Sequence, residues 1–388
     1  FIVIFLSFSW LFHCGQIVKY AFDIKGVVYI PFYNYGSTGD IYNAFLFYFI
    51  SQILLTFGCI VGARKSKLKD NRTDEEIQLR PLAIFLFSIG VLPRLYIDIS
   101  RLIAGIEQGY KGVYSLNFPS PVNTLAFICD AGCILLLCIK TKKEKNTLFF
   151  FAVLLYKALM MLSGARQNAF CFLIVWVILY FWYIRKTRFA GKIVTILFAI
   201  FSAFFLDFVG NVRAKGFSLE LLTDSFSIRN NSLIGDLLGE FGAAFSSLVV
   251  SIHGFPALKP YGYGKSYLAA ILTTIPTLVQ KIPWLRESTT FTTMFENTFA
   301  FGGSYLGEFY YNFSWLGVLA PMIVGIAVGK CQTVLASKKG GLSLMWSAVV
   351  LVNLLLFIRG YVTDMAQGCI WLFLFIKIYK AVRRKRYL

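Results

Sequence analysis

Ten long, mostly apolar runs constrain this chain more than any other feature: 1–17, 41–63, 81–105, 122–139, 147–163, 167–184, 193–209, 315–329, 343–358 and 366–380. A helix rising 1.5 Å per residue needs about 20 apolar residues to cross a hydrocarbon core, and the longer runs reach that length. The runs show no strand-like alternation, and a bilayer tolerates only segments that satisfy their own backbone, so helices are expected. Composition agrees. The chain is 57% hydrophobic and 15% charged, whereas soluble domains are about 45–50% apolar and about 25% charged. No soluble core of this length could hide so much apolar surface. The expected fold is all-α, a polytopic transmembrane helical bundle of about 10–12 spans.

The formal net charge of +19 would by itself suggest nucleic acid, but its placement argues otherwise. Segments 64–80, 140–146, 185–192, 330–339 and 377–388 hold 23 of the 38 Lys and Arg residues. The segments between them, 18–40, 106–121, 164–168 and 359–365, hold five. The two sets alternate along the chain, as the positive-inside rule requires. This places the C-terminal Arg383-Arg384-Lys385-Arg386 in the cytoplasm and 18–40 outside. The sequence begins at Phe1 inside an apolar run and without Met, so a segment upstream is expected. Cys59, Cys129, Cys133, Cys138, Cys171 and Cys369 lie in or beside apolar runs and read as small apolar residues, with no partner set for a metal.

One segment breaks the pattern. Residues 210–314 form a long external segment with seven basic and seven acidic residues, rich in Gly, Pro, Tyr and Thr. Loops of that length usually carry function. Within it, 233–252 and 266–279 are apolar or amphipathic enough to lie in the interface or to re-enter the bilayer. The expected organisation is an N-terminal transmembrane bundle (1–209), the external segment (210–314) and C-terminal transmembrane helices (315–388).

Charges inside spans are expensive and mark functional candidates. Arg94, Asp98 and Arg101 share one helix face at i, i+4 and i+7, just after Pro93. Lys157 lies in the outer half of its span, Arg166 and Arg359 at outer span ends, and Arg213 just after a span. Six cations at one depth suit a phosphate-bearing lipid headgroup, which guanidinium groups bind in a bidentate manner. The competing reading is a structural ion pair with snorkelling neighbours. Asp130, deep in the fourth span, reads as a structural partner for a membrane cation.

Acid–base groups are few. The chain has two histidines, of which His13, inside an apolar run, reads as structural. His253, Glu240 and Glu308 in the external segment are the candidates for activating a hydroxyl. Tyr261, Tyr263, Tyr267, Trp284, Tyr305, Tyr310 and Tyr311 could stack on sugar rings or form an interfacial belt; Tyr263, Tyr267, Tyr305 and Tyr310 are taken as the sugar-binding set. No Asp-x-Asp, Walker or Gly-x-Ser-x-Gly motif occurs, so no metal or other cofactor is expected.

These features together resemble the Wzy-type O-antigen and capsular polysaccharide polymerases. The resemblance rests on Ser163-Gly164-Ala165-Arg166-Gln167-Asn168, the long external segment, His253–Pro256 through Gly264–Tyr267, and Gly302–Phe313. It implies a GT-C-like, metal-independent glycosyltransferase of the bacterial inner membrane, working at its outer face. Such enzymes pass a growing glycan from undecaprenyl diphosphate to the non-reducing end of a new lipid-linked repeat unit. Arg166 best matches the arginines taken to hold the diphosphates. The resemblance implies lipid-linked donor and acceptor and the bilayer as partners, leaves a chain-length regulator open, and implies no nucleic acid. The alternatives are an O-antigen ligase, separated by its acceptor, and a flippase, which should line both halves of a pathway with charge and show two related halves. A non-catalytic assembly subunit is a third.

Overall fold

The computed structural model describes residues 1–28, 30–64, 75–139, 143–163, 166–185, 233–275, 278–295, 301–337 and 340–385. Among them there is no strand. The expected span 193–209 and Arg213 lie outside the described residues. Among the described residues, eight helical stretches are long and apolar enough to cross a membrane, and two shorter apolar helices accompany them, Asn146–Met161 and Gly341–Phe357. The chain is thus an all-α polytopic membrane protein. Two compact units divide it: Phe1–Lys65, Ser227–Thr333 and Asn353–Gln367 in the first, Ser66–Phe226, Val334–Val352 and Gly368–Leu388 in the second.

In the first unit, α1 (Ile2–Ala21) and α2 (Thr38–Gly62) follow the first two apolar runs. Ser37 starts α2 with a full capping box: its side chain accepts from the Asp40 N–H, and the Asp40 carboxylate accepts from the Ser37 N–H. Residues expected to lie in the interface or re-enter form α7 (Leu233–Phe241) and α8 (Ala243–Gly254), which together make an apolar stretch of spanning length, Ile234–Gly254. Short helices follow, α9 (Lys265–Leu272) and α10 (Pro283–Thr289). The next helix, α11 (Tyr305–Phe313), runs through a 3-10 segment (Ser314–Leu319) into α12 (Ala320–Ala336). This helical stretch begins ten residues before the apolar run at 315, because the Ser304 hydroxyl caps α11 and its aromatic residues are buried.

Helix α2 packs against α12 through glycine. A Cβ on Gly58 would strike the Met322 carbonyl, and one on Gly62 the Ile326 carbonyl. In return, Gly325 meets Leu55 O and Gly329 meets Cys59 O. Two small-xxx-small pairs therefore face each other. Such pairs let backbones approach closely where no hydrophobic force distinguishes helix from lipid.

The second unit is built on α3 (Glu75–Ser115), α4 (Ser120–Cys138), α5 (Lys143–Met161) and α6 (Arg166–Ile178), the last extended by a π-helical segment, Leu179–Ile184. Helix α3 is much longer than the apolar run 81–105 and contains both Pro81 and Pro93. It lies close to α4, with Gly132 against Phe87. Phe150 of α5 stacks on Tyr180 at 4.0 Å and on Trp176 of α6 at 6.1 Å between ring centroids. The chain ends with α13 (Gly341–Phe357) and α14 (Val362–Lys385).

Candidate functional site

In the second unit four of the intramembrane charges, Arg94, Asp98, Asp130 and Lys157, pair with one another. Arg94 grips Asp98 through Nε and Nη2, at 2.7 and 2.6 Å, and reaches Asp130 Oδ2 at 3.3 Å. Lys157 Nζ donates to Asp130 Oδ1 at 2.6 Å and packs over the Phe172 ring. Tyr156 Oη donates to Asp98 Oδ2 at 2.6 Å. Two cations thus meet two carboxylates across α3, α4 and α5. This is what a low-dielectric site demands of buried charge. The expectation that Asp130 partners a membrane cation is met twice over. Arg101, on the same helix face as Arg94, is half-buried and sits over the Phe118 ring at 5.6 Å.

In the first unit, polar groups collect where α1, α8 and α11 meet. His13 is fully buried. Its Nδ1 lies 2.9 Å from the Ser9 carbonyl, which can only accept, so Nδ1 carries the proton and Nε2 accepts from Ser304 Oγ at 3.0 Å. His13 thereby ties α1 to the cap of α11, a structural role. Glu308 is also fully buried. Its Oε2 accepts from the Val362 N–H at 3.0 Å, while among the described residues Oε1 and the Tyr267 hydroxyl find no hydrogen-bond partner. Burial raises the Tyr267 pKa, and the Glu308 carboxyl raises it further.

Asn312 organises the turn beside this group. Its Oδ1 accepts from the Gly264 N–H at 2.9 Å, and its Nδ2 donates to Ser266 Oγ and to the Glu308 carbonyl. Gly264, at φ +87°, supplies the left-handed turn this requires. The turn lays Tyr261 against Tyr310 at 6.0 Å and leaves Tyr263 exposed. Tyr305 is core, with its hydroxyl on Ser9 Oγ at 2.9 Å. Of the four tyrosines taken as sugar-binding, Tyr263 alone is strongly exposed; Tyr267 is half-buried, and Tyr305 and Tyr310 are buried.

Two candidates from distant sequence positions come together here. The Arg359 guanidinium donates to the Glu240 carbonyl at 3.3 Å. A third arrangement was not expected: His253 Nδ1 lies 2.9 Å from Asp40 Oδ2, and the imidazole is about half exposed (49%). Asp40 was missed because only its capping pattern, Ser37-x-x-Asp40, shows in sequence, and that pattern announces a helix start.

The family model described as O-antigen polysaccharide polymerase Wzy matches residues 1–385, essentially the whole chain. The chain belongs to the Wzy O-antigen polymerase family. No curated protein and no solved structure matches it. Wzy membership and the apolar helices together make it a multi-pass membrane protein of O-antigen polysaccharide biosynthesis. For a Wzy polymerase, lipid-linked glycan is the substrate that membership implies. The candidates Glu240, His253, Glu308, Arg359 and the four tyrosines all fall in one compact unit, whereas Arg94, Arg101, Lys157 and Arg166 fall in the other. Arg166 opens α6; its side chain, like Arg213, lies outside what the structure describes.

Proposed function

We propose that this protein is a glycosyltransferase that polymerises undecaprenyl-diphosphate-linked repeat units on the outer face of the bacterial inner membrane, without a metal ion, on a GT-C-like scaffold. The family match over residues 1–385 carries the reading. The polymer on its lipid diphosphate is the donor, and a hydroxyl at the non-reducing end of a new repeat unit is the acceptor. Cationic side chains hold the leaving diphosphate, offsetting the negative charge that grows on it in the transition state. The candidate cations in this reading are Arg94, Arg101, Lys157, Arg166, Arg213 and Arg359, of which Arg94 and Lys157 carry salt bridges to Asp98 and Asp130. Exposed Tyr263 offers a ring face to a sugar.

The test uses purified protein and lipid-linked repeat unit with no nucleotide or metal added. A ladder of longer glycans on a gel is expected. Failure to extend, or extension that needs added metal, would overturn the corresponding part. Arg166→Ala is expected to slow extension strongly, and Arg166→Lys to recover only part, because ammonium cannot reproduce the guanidinium fork. Extension by Arg166→Ala at the wild-type rate would remove Arg166 from the diphosphate set.

A further inference from the structure

We infer that Asp40 and His253 form a catalytic dyad in which Asp40 positions the His253 imidazole as the base that deprotonates the acceptor hydroxyl. The inference rests on the polymerase reading above and selects among its three acid–base candidates. Glu308 is fully buried, so a bulky glycan cannot reach it, and its Oε2 is engaged by Val362. Glu240 is half-buried on α7, and its contact with Arg359 is made by the backbone carbonyl and does not orient its carboxylate. His253 is half exposed and stands at the end of α8, a chain position at the end of a candidate span. Asp40 stands at the beginning of another.

The geometry sets the tautomer. Asp40 Oδ2 receives the Ser37 N–H at 2.8 Å, the Ser37 hydroxyl at 2.8 Å and His253 Nδ1 at 2.9 Å, while the Asp40 N–H returns to Ser37 Oγ at 3.2 Å. The capping box therefore fixes the carboxylate. A carboxylate only accepts, so the neutral imidazole carries its proton on Nδ1 and keeps a lone pair on Nε2. Among the described residues no hydrogen bond is made to that Nε2. Elsewhere in the same unit the Tyr261 ring lies against the buried Tyr310 and the exposed Tyr263.

In the step itself, the acceptor O–H proton passes to Nε2. The acceptor oxygen forms a bond to the donor's anomeric carbon. The bond from that carbon to the diphosphate oxygen breaks, and its electron pair leaves with the lipid diphosphate. The imidazolium, stabilised by Asp40, then gives its proton to water. Asp40 touches no reacting atom and acts through His253.

Two measurements on the full-length protein test the dyad. The chain has two histidines, so nitrogen NMR of the histidine-labelled protein resolves both rings, and His253→Gln assigns them. Wild type should show His253 protonated on Nδ1; in Asp40→Asn, whose amide can donate to Nδ1, the proton should move to Nε2. A wild-type His253 bare at Nδ1 overturns the proposal whether or not the protein polymerises glycan. In the extension assay, Asp40→Asn should lower kcat about a hundredfold or more with little change in KM. Asp40→Glu should restore part of it. In a His253→Ala background Asp40→Asn should add nothing, as for residues acting as one unit. Wild-type kcat for Asp40→Asn, or independent losses that multiply, overturns the dyad while leaving the polymerase standing. A wild-type protein that extends nothing refutes the polymerase reading instead.

Discussion

Arg94 and Asp98, one turn apart on α3, form a two-point ion pair at 2.7 and 2.6 Å, and Asp130 and Lys157 close it into a neutral group of four. Removing one member leaves a charge stranded at low dielectric. Arg94→Met should destabilise the detergent-solubilised protein by about 3–5 kcal/mol. Arg94→Met with Asp98→Leu should recover most of that loss, because Lys157 still answers Asp130. Thermal unfolding of the single and double variants decides it. Equal stability for both would show that the pair is not the fastener its geometry implies.

The facing glycines of α2 and α12 leave no room for a side chain. Gly62→Val or Gly325→Val should cost about 1–3 kcal/mol, the usual range for overpacking. A comparable substitution at Gly39, whose Cβ would meet only Ser37 Oγ at 3.7 Å, should be mild. Unfolding midpoints and the yield of monodisperse protein are the readouts.

Glu308 is held by a backbone N–H and sits among Ser266, Asn312 and Tyr267. Glu308→Gln keeps an acceptor for Val362 and should fold normally. Glu308→Ala strands that N–H and opens a void, with an expected loss of about 1–3 kcal/mol. Identical unfolding curves for the two variants would show that the Val362 contact contributes nothing.

Tyr263 is exposed on a turn whose shape is set by Gly264 and Asn312. Tyr263→Ala should leave the melting temperature unchanged and raise the KM for lipid-linked repeat unit severalfold, while Tyr263→Phe and Tyr263→Trp, which keep a ring face, should stay close to wild type. Tyr305→Ala should instead lower stability, since that ring is core. Melting curves and extension kinetics separate the two.

By itself the sequence determined what bulk solvation decides. Long apolar runs must leave water, a bilayer admits them only as helices, and basic residues cannot easily be translocated. All-helical architecture and many spans follow from terms that add up along the chain, whereas the family resemblance rests on the long external segment and short motifs such as Ser163–Asn168. It also showed that Asp130 needed a cation and that His13 was structural, because a polar group in an apolar run must find a partner. It did not show which partner. The Asp40–His253 contact joins residues 213 apart, and the Arg359–Glu240 contact joins residues 119 apart. Neither pairing leaves a local pattern, so only packing could make them. The same holds for Tyr305 against Tyr263: both are aromatic residues beside glycine-rich turns, yet one is buried against α1 and the other is exposed. What faces the glycines at 58, 62, 325 and 329 is set by the folded α2–α12 contact. Burial, direction and distance are properties of the tertiary structure, and they distinguish the half-exposed His253 from the fully buried Glu308.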